Sequence, residues 1–254
     1  MGLINSIQFS VNSLRNHLFP NSFYLEEQIK IEKRAQFYKQ FVGESDLVFD
    51  VGANLGNRVA AFLKLNAKVI AIEPQADCGD FLEYKFGKRI TLLRKGMSSE
   101  KGKKDIFVSN SSTISSFSED WIRSVKESGR FAEFSWKRSS AIEMDTLDNV
   151  ISKEGVPAFI KIDVEGFELE VLKGLNTKVK ALSFEYTIPE QLSVAKSCVE
   201  YLIKTFKTIE FNYAVQEDMD LILKDWLNPV DMLAHLSSKE FIQTGFGDIY
   251  MRII

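Results

Sequence analysis

Histidine and cysteine are scarce in this chain. Among 254 residues there are two of each, His17 and His235, Cys78 and Cys198. The cysteines are far apart and form no metal-like spacing. They suit a reducing cytosol at least as well as a single disulfide. The histidines default to solvated or packed roles, so carboxylates are the main supply of bases. Charge of one sign is also missing: the formal net charge is -3 and the pI is about 5.6. That excludes broad electrostatic attraction to nucleic acid, so no nucleic-acid partner is expected. No apolar run approaches the length of a transmembrane helix. The first 22 residues have neither a basic n-region nor a continuous apolar core, which argues against a secretory signal and for a cytoplasmic protein. "MGLINS" fits the loose Met-Gly-x-x-x-Ser acylation pattern through Gly2 and Ser6, a pattern permissive enough that an ordinary N-terminus is expected.

Core-forming residues are plentiful: 45% of the chain is apolar, with 20 Phe. The length permits one large domain, or one domain with an appendage. Residues 24–42 have helical spacing, with Leu25, Ile29, Phe37 and Phe41 at multiples of four, and are expected to form a docking face. Strands and helices then alternate: "DLVFDVG" (46–52), "NRVAAFLKLN" (57–66), "KVIAIEP" (68–74), "DCGDFLEYKF" (77–86) and "ITLLRKG" (90–96). The pattern breaks between about 97 and 145. "KGKKDIFVSN" reads as a turn and a short strand, and the Ser-rich "SNSSTISSF" has neither period. Such a segment is more often a connection than a lid.

Alternation resumes with "PAFIKID" (157–163), a short helix "ELEVLKGL" and "VKALSFEYTI" (179–188). A long helix follows over 193–206, expected to be capped by Ser193 and to bury Cys198. Strands "KTIEFNYAV" (207–215) and "DIYMRII" (248–254) close the chain around a largely helical insertion, about 217–243. Seven strands with interspersed helices indicate a doubly wound α/β sheet, which binds ligands beyond the carboxyl ends of its strands. The domain division expected is an N-terminal helical extension over 1–43 and one α/β domain over 44–254.

Two stretches carry chemistry. In "DLVFDVGANLGNRVAAF" a strand ends at Asp50, Gly52 and Gly56 allow a tight turn, and a helix begins. Glu73, at the end of the second strand, can accept both ribose hydroxyls of an adenosine. The dinucleotide fingerprint G-x-G-x-x-G fails, because Asn54 and Asn57 stand where glycines are needed. Asp50 repels a pyrophosphate and suits a cationic ligand, so S-adenosylmethionine (SAM) is favoured over a nicotinamide cofactor.

The blocks "DVGANLG", "AIEP", "MDTLDNV", "IKIDVEGFELEVLKGL" and "FEY" resemble the FkbM family of SAM-dependent methyltransferases over about residues 44–190. The resemblance implies a class I methyltransferase, with a Rossmann-like seven-stranded sheet and O-methylation of a sugar, glycan or polyketide-like acceptor. It also implies that Asp50, Gly52, Asn54 and Gly56 line the methionine side of SAM, that Glu73 holds the ribose, and that Met97 and Ser98 lie near adenine. A non-catalytic SAM-binding scaffold or sensor is the second reading, and a nicotinamide oxidoreductase the third.

In "FIKIDVEGFELEVLKGL", Glu168 and Glu170 fall in the first turn of a helix, where its dipole favours acids. Asp163 and Glu165 precede the helix and stand where the ligand crevice should open. Either could orient or deprotonate an acceptor hydroxyl. Lys161 shares a strand face with Asp163; it is a third catalytic candidate, or else pairs with Asp163 or with Glu185. Oxygen ligands of this kind also suit Mg²⁺ or Ca²⁺, but two alternating acids without a compelling third ligand do not favour a metal. Trp136, beside Lys137 and Arg138, is expected in the core rather than on a sugar ring. The identity of the acceptor and the oligomeric state stay open.

Overall fold

The computed structural model describes residues 22–254. His17 and the Gly2–Ser6 pattern lie outside these residues. The first helix of the described residues, α1, runs from Ser22 to Tyr38 and ends before Phe41. Its far half and the turn after it dock as expected: Tyr38 packs on Phe62 and Phe159, and Phe41 stacks on Tyr250. The near half does not, since Leu25 and Ile29 are 47% and 67% exposed.

Seven strands form the central sheet: β1 (Leu47–Val51), β2 (Lys68–Ile72), β3 (Ile90–Leu93), β7 (Phe159–Ile162), β8 (Ala181–Thr187), β9 (Ile209–Val215) and β10 (Phe246–Ile253). Their order is β3-β2-β1-β7-β8-β10-β9. The strands are parallel except β10, which runs antiparallel to both β8 and β9. This is the class I methyltransferase arrangement of a Rossmann-like sheet. Near-continuous apolar runs such as "LVFDV" and "FIKI" fit strands covered on both faces. Helices α2 (Asn57–Lys64) and α3 (Ala76–Phe86) follow β1 and β2; α6 (Glu168–Lys173) and α7 (Leu192–Thr205) follow β7 and β8. The winding reverses between β1 and β7. Asp50, Glu73, Asp163 and Glu185 all fall toward the carboxyl ends of neighbouring strands, where that reversal opens a crevice.

The irregular region is structured. β4 (Gly96–Met97), β5 (Gly102–Ser109) and β6 (Trp136–Asp145) make a second sheet, in the order β4-β6-β5. Between β5 and β6 lies α4 (Glu119–Glu127), where Ser118 Oγ accepts the Trp121 amide at 3.1 Å. Helix α5 (Leu147–Glu154) leads back to β7. Trp136 sits on the edge of a small core, donating from Nε1 to the Ile114 carbonyl at 2.7 Å.

Two local expectations are corrected. Helix α7 starts one residue before Ser193, with Gln191 at its cap position and no side-chain cap; Cys198 is buried in its inner face as expected. The 217–243 insertion is mainly loop, with only α8 (Pro229–His235) and α9 (Lys239–Ile242) helical. His235 packs between the Tyr213 and Phe241 rings.

Candidate active site

The turn after β1 is held against the turn after β7. Gly52 has φ +84, and a Cβ there would stand 1.8 Å from the Asp163 carbonyl oxygen. That closeness follows from the parallel ladder, in which the Asp163 amide donates to the Val51 carbonyl at 2.9 Å. Asn54, also left-handed at φ +46, turns its amide onto Glu73 Oε2 at 2.7 Å. The Gln75 amide donates to Glu73 Oε1 at 2.8 Å. Burial raises the Glu73 carboxyl above its usual range, and these two amides oppose the rise. Asp50 is more extreme: it is 2% exposed and its Oδ2 has no partner. Burial pushes it up to about 7, against the opposing pull of Lys161 and Arg58.

The second group of acids surrounds Lys161, which is 1% exposed. Its Nζ lies 3.2 Å from Asp163 Oδ2 and 2.8 Å from Asp248 Oδ1. Burial alone depresses a lysine, but here Asp163 and Asp248 outweigh it and hold the ammonium well above its usual range. The second partner is therefore Asp248 on β10, not Glu185. Past Asp163 the chain folds back through Glu165 at φ +54 and Gly166 at φ +87. Glu168 brackets this bend, its Oε1 accepting the Val164 and Gly166 amides at 3.1 and 3.2 Å. Its carboxylate thus holds the loop from a buried position. Glu170 is the ordinary helix-start acid, paired with Lys173 at 2.6 Å.

Glu185 reaches the same space from β8. One carboxylate oxygen from each of Asp163, Glu165 and Glu185 lies within 4.8 Å of the other two. Burial, then the charge of Asp163, drives Glu165 and Glu185 well above the usual carboxylate range.

A cavity of about 240 Å³ joins the two groups. Asp50, Gly52, Asn54, Glu73, Asp163 and Glu165 all line it. Gly56 does not; at φ +77 it lets α2 begin against Phe86, whose ring would lie 2.3 Å from a Cβ. Lys161 lies behind the wall. Met97 and Ser98 are also off the wall: Met97 is in the core, paired with Asp145 in the second sheet, and the Ser98 amide donates to the Asp145 carbonyl at 2.8 Å.

The Ser-rich stretch is part of the wall rather than a mere connection, through Ser112, Thr113 and Ser115 beside Ile106 and Phe117. Ser116 Oγ donates to the Glu165 carbonyl at 2.6 Å, and Trp121 lies where a Gly166 Cβ would meet it at 2.4 Å. The chain between β5 and β6 thus buttresses the loop that carries Glu165. Arg58 and Glu217 complete the lining as a bidentate pair, both bonds 2.8 Å. Although burial opposes it, this pairing draws Glu217 down to about 2.

These burials predict a pH dependence of stability. Asp50 and Glu168 are each pushed up to about 7 by burial. Between pH ~4 and ~7 the folded chain therefore binds more protons than the unfolded chain, and stability falls as pH rises through that window. Urea unfolding without ligand is expected to give an unfolding free energy lower at pH 8 than at pH 5.5, by on the order of a few kcal/mol. A profile that rises with pH would show that these acids carry no such burden.

A family model described as the methyltransferase FkbM domain matches residues 50–225, more than two-thirds of the chain. The chain is 32% identical over 146 residues to the hexuronic acid methyltransferase AglP of Haloferax volcanii, a match covering 56% of this chain and 54% of that protein. It thus spans about half the length of this curated relative. Among solved structures it is similar to a TehB-like SAM-dependent methyltransferase from Corynebacterium glutamicum (TM-score 0.49, 8% identity, 99% of each chain). It is also similar to a SAM-dependent O-methyltransferase from Thermotoga maritima (TM-score 0.42, 11% identity, 87% of this chain and 64% of that one). At such scores these likenesses add no weight to the fold, which stands on its own strand order.

The FkbM expectation is corrected in two respects. The resemblance implies fold and family together, but the strand order is the general class I methyltransferase arrangement and does not single out FkbM; the family rests on the family-model match alone. The sequence match also runs past residue 190, where the motifs stop, to residue 225.

Proposed function

The chain belongs to the FkbM methyltransferase domain family, and on that premise we propose that it is a SAM-dependent O-methyltransferase acting on a hydroxyl of a sugar or glycan. The observation that carries this reading is Asp50, a buried carboxylate with an unpartnered oxygen beside a glycine turn at a strand end. Such a group calls for positive charge. The similarity to a hexuronic acid methyltransferase supports a sugar over a polyketide-like acceptor.

SAM, when bound, supplies an electrophilic methyl group on a sulfonium. The residues of this chain would do the rest. Asp50 answers the cationic methionine end, and the absence of a side chain at Gly52 leaves room for it. Each oxygen of Glu73 already accepts one amide and keeps a lone pair for a ribose hydroxyl. Ile106 and Phe117 offer the apolar surfaces suited to a purine. Asp163, at the carboxyl end of β7, orients the acceptor hydroxyl and takes its proton. Lys161 is a positioning residue that fixes Asp163 from behind the wall.

The domain proposed for this reaction is 44–254, with α1 docked on it. A cytoplasmic location belongs to the same proposal, supported by two free, buried cysteines. Among the described residues no helix is long and apolar enough to cross a membrane.

The test has two steps. Equilibrium titration is expected to give SAM binding and no comparable NAD binding; tight NAD binding without SAM would sink the proposal. Incubation with methyl-labelled SAM and fractionated extract, followed by mass spectrometry, is then expected to yield a methylated carbohydrate. SAM binding with no labelled product in any fraction would favour the scaffold reading.

A further inference from the structure

We infer that Asp163, Glu165 and Glu185 bind one hard divalent cation at the acceptor end of the cavity. Sequence offered two acids and no third ligand. The fold supplies the third, because β8 lies beside β7 and carries Glu185 to the same space. An oxygen-only set selects Ca²⁺, Mg²⁺ or Mn²⁺ over softer metals. Oxygens within 4.8 Å of one another are close enough for one ion to draw all three in; Ca²⁺, with oxygens ~2.4 Å away, asks for less movement than Mg²⁺ at ~2.1 Å.

The resident cations answer this charge only in part, through Lys161 at Asp163. Lys161 is nearer to Asp248 than to Asp163, at 2.8 against 3.2 Å. Arg58 is chelated by Glu217. Among the described residues, no donor reaches the carboxylates of Glu165 and Glu185.

Asp50 is an independent sign that this cavity takes positive charge. It is 2% exposed, its Oδ2 is unpartnered, and it opens on the same space. SAM brings only one net positive charge, whereas six carboxylates line the cavity, of which Glu217 is answered by Arg58. The inference rests on the SAM reading for this charge balance. An ion at the three acids would also draw in the acceptor oxygen and lower its pKa.

Mn²⁺ is the probe: free Mn²⁺ is followed by EPR as the full chain is titrated, at constant ionic strength, with SAM affinity measured on the same samples. One Mn²⁺ per chain is expected, displaced by Ca²⁺ or Mg²⁺. Binding should weaken at least tenfold in both Glu185→Gln and Glu165→Gln. It should be unchanged in Glu170→Gln, whose carboxylate pairs with Lys173 outside the cavity. SAM binding without saturable Mn²⁺ binding overturns the inference and leaves the proposed function standing. So does Mn²⁺ binding that both cavity variants leave unchanged. Mn²⁺ binding that follows this pattern without SAM binding supports the site and overturns the function.

Discussion

Asp163→Asn is expected to lower methyl-transfer turnover by ~10²–10⁴-fold, the range for loss of a positioned general base, while SAM affinity changes only a few-fold. The substitution conserves volume and leaves Lys161 its shorter contact, 2.8 Å, to Asp248. Burial is the main reason that Asp50, Glu165, Glu168 and Glu185 are raised, and the charge of Asp163 adds to it in all four. Relieving that repulsion should leave the ligand-free chain at least as stable at pH 7.5 as the parent. Turnover and stability are then expected to move in opposite directions, as when strain is held for function. Turnover and urea midpoints on the same preparations check both. Full turnover in both Asp163→Asn and Glu165→Gln, with SAM still bound, would remove the proposed chemistry from these residues.

Gly52→Ala is the second large effect. The added Cβ would meet the Asp163 backbone carbonyl at 1.8 Å. That oxygen is no flexible side-chain tip, because the Asp163 amide is bonded to Val51 in the strand ladder at 2.9 Å. The φ of +84 adds strain of about 1–2 kcal/mol for any L side chain, and overpacking adds about 1–3 kcal/mol. A loss of roughly 3 kcal/mol in unfolding free energy is expected, together with loss of SAM binding as β1 and β7 are forced apart. Gly129→Ala separates the two contributions: Gly129 also has positive φ, +81, but nothing lies within 4 Å of its Cβ position. If both variants lose the same stability and both bind SAM, the close approach at Gly52 is not what positions the crevice.

Much of this frame was legible in the residues. The strands of the central sheet are short apolar runs, and a run of that kind is a property of neighbours in sequence. The turn at "DVGANLG" was legible for the same reason, since left-handed backbone selects glycine and asparagine locally. The second sheet was not legible. Strand β6 pairs with β4 and β5, and those partners lie tens of residues away, so no local period announces it. Glu168 shows a subtler failure. An acid in a first helical turn faces solvent by default, yet here it folds inward because the bend at Glu165 and Gly166 leaves two amides to satisfy.

By itself the sequence determined that an α/β sheet forms, that acids cluster at strand ends, and that the first turn lacks the glycines of a dinucleotide fingerprint. These follow from periodicity, turn stereochemistry and charge, which act over a few residues. Only the tertiary structure decided which acids share a space. Strand order set Glu185 beside Asp163 and Glu165, gave Lys161 to Asp248, and joined Arg58 to Glu217 across 159 residues. Carboxylates interact through distance in space, and strand order, which no local pattern encodes, sets that distance.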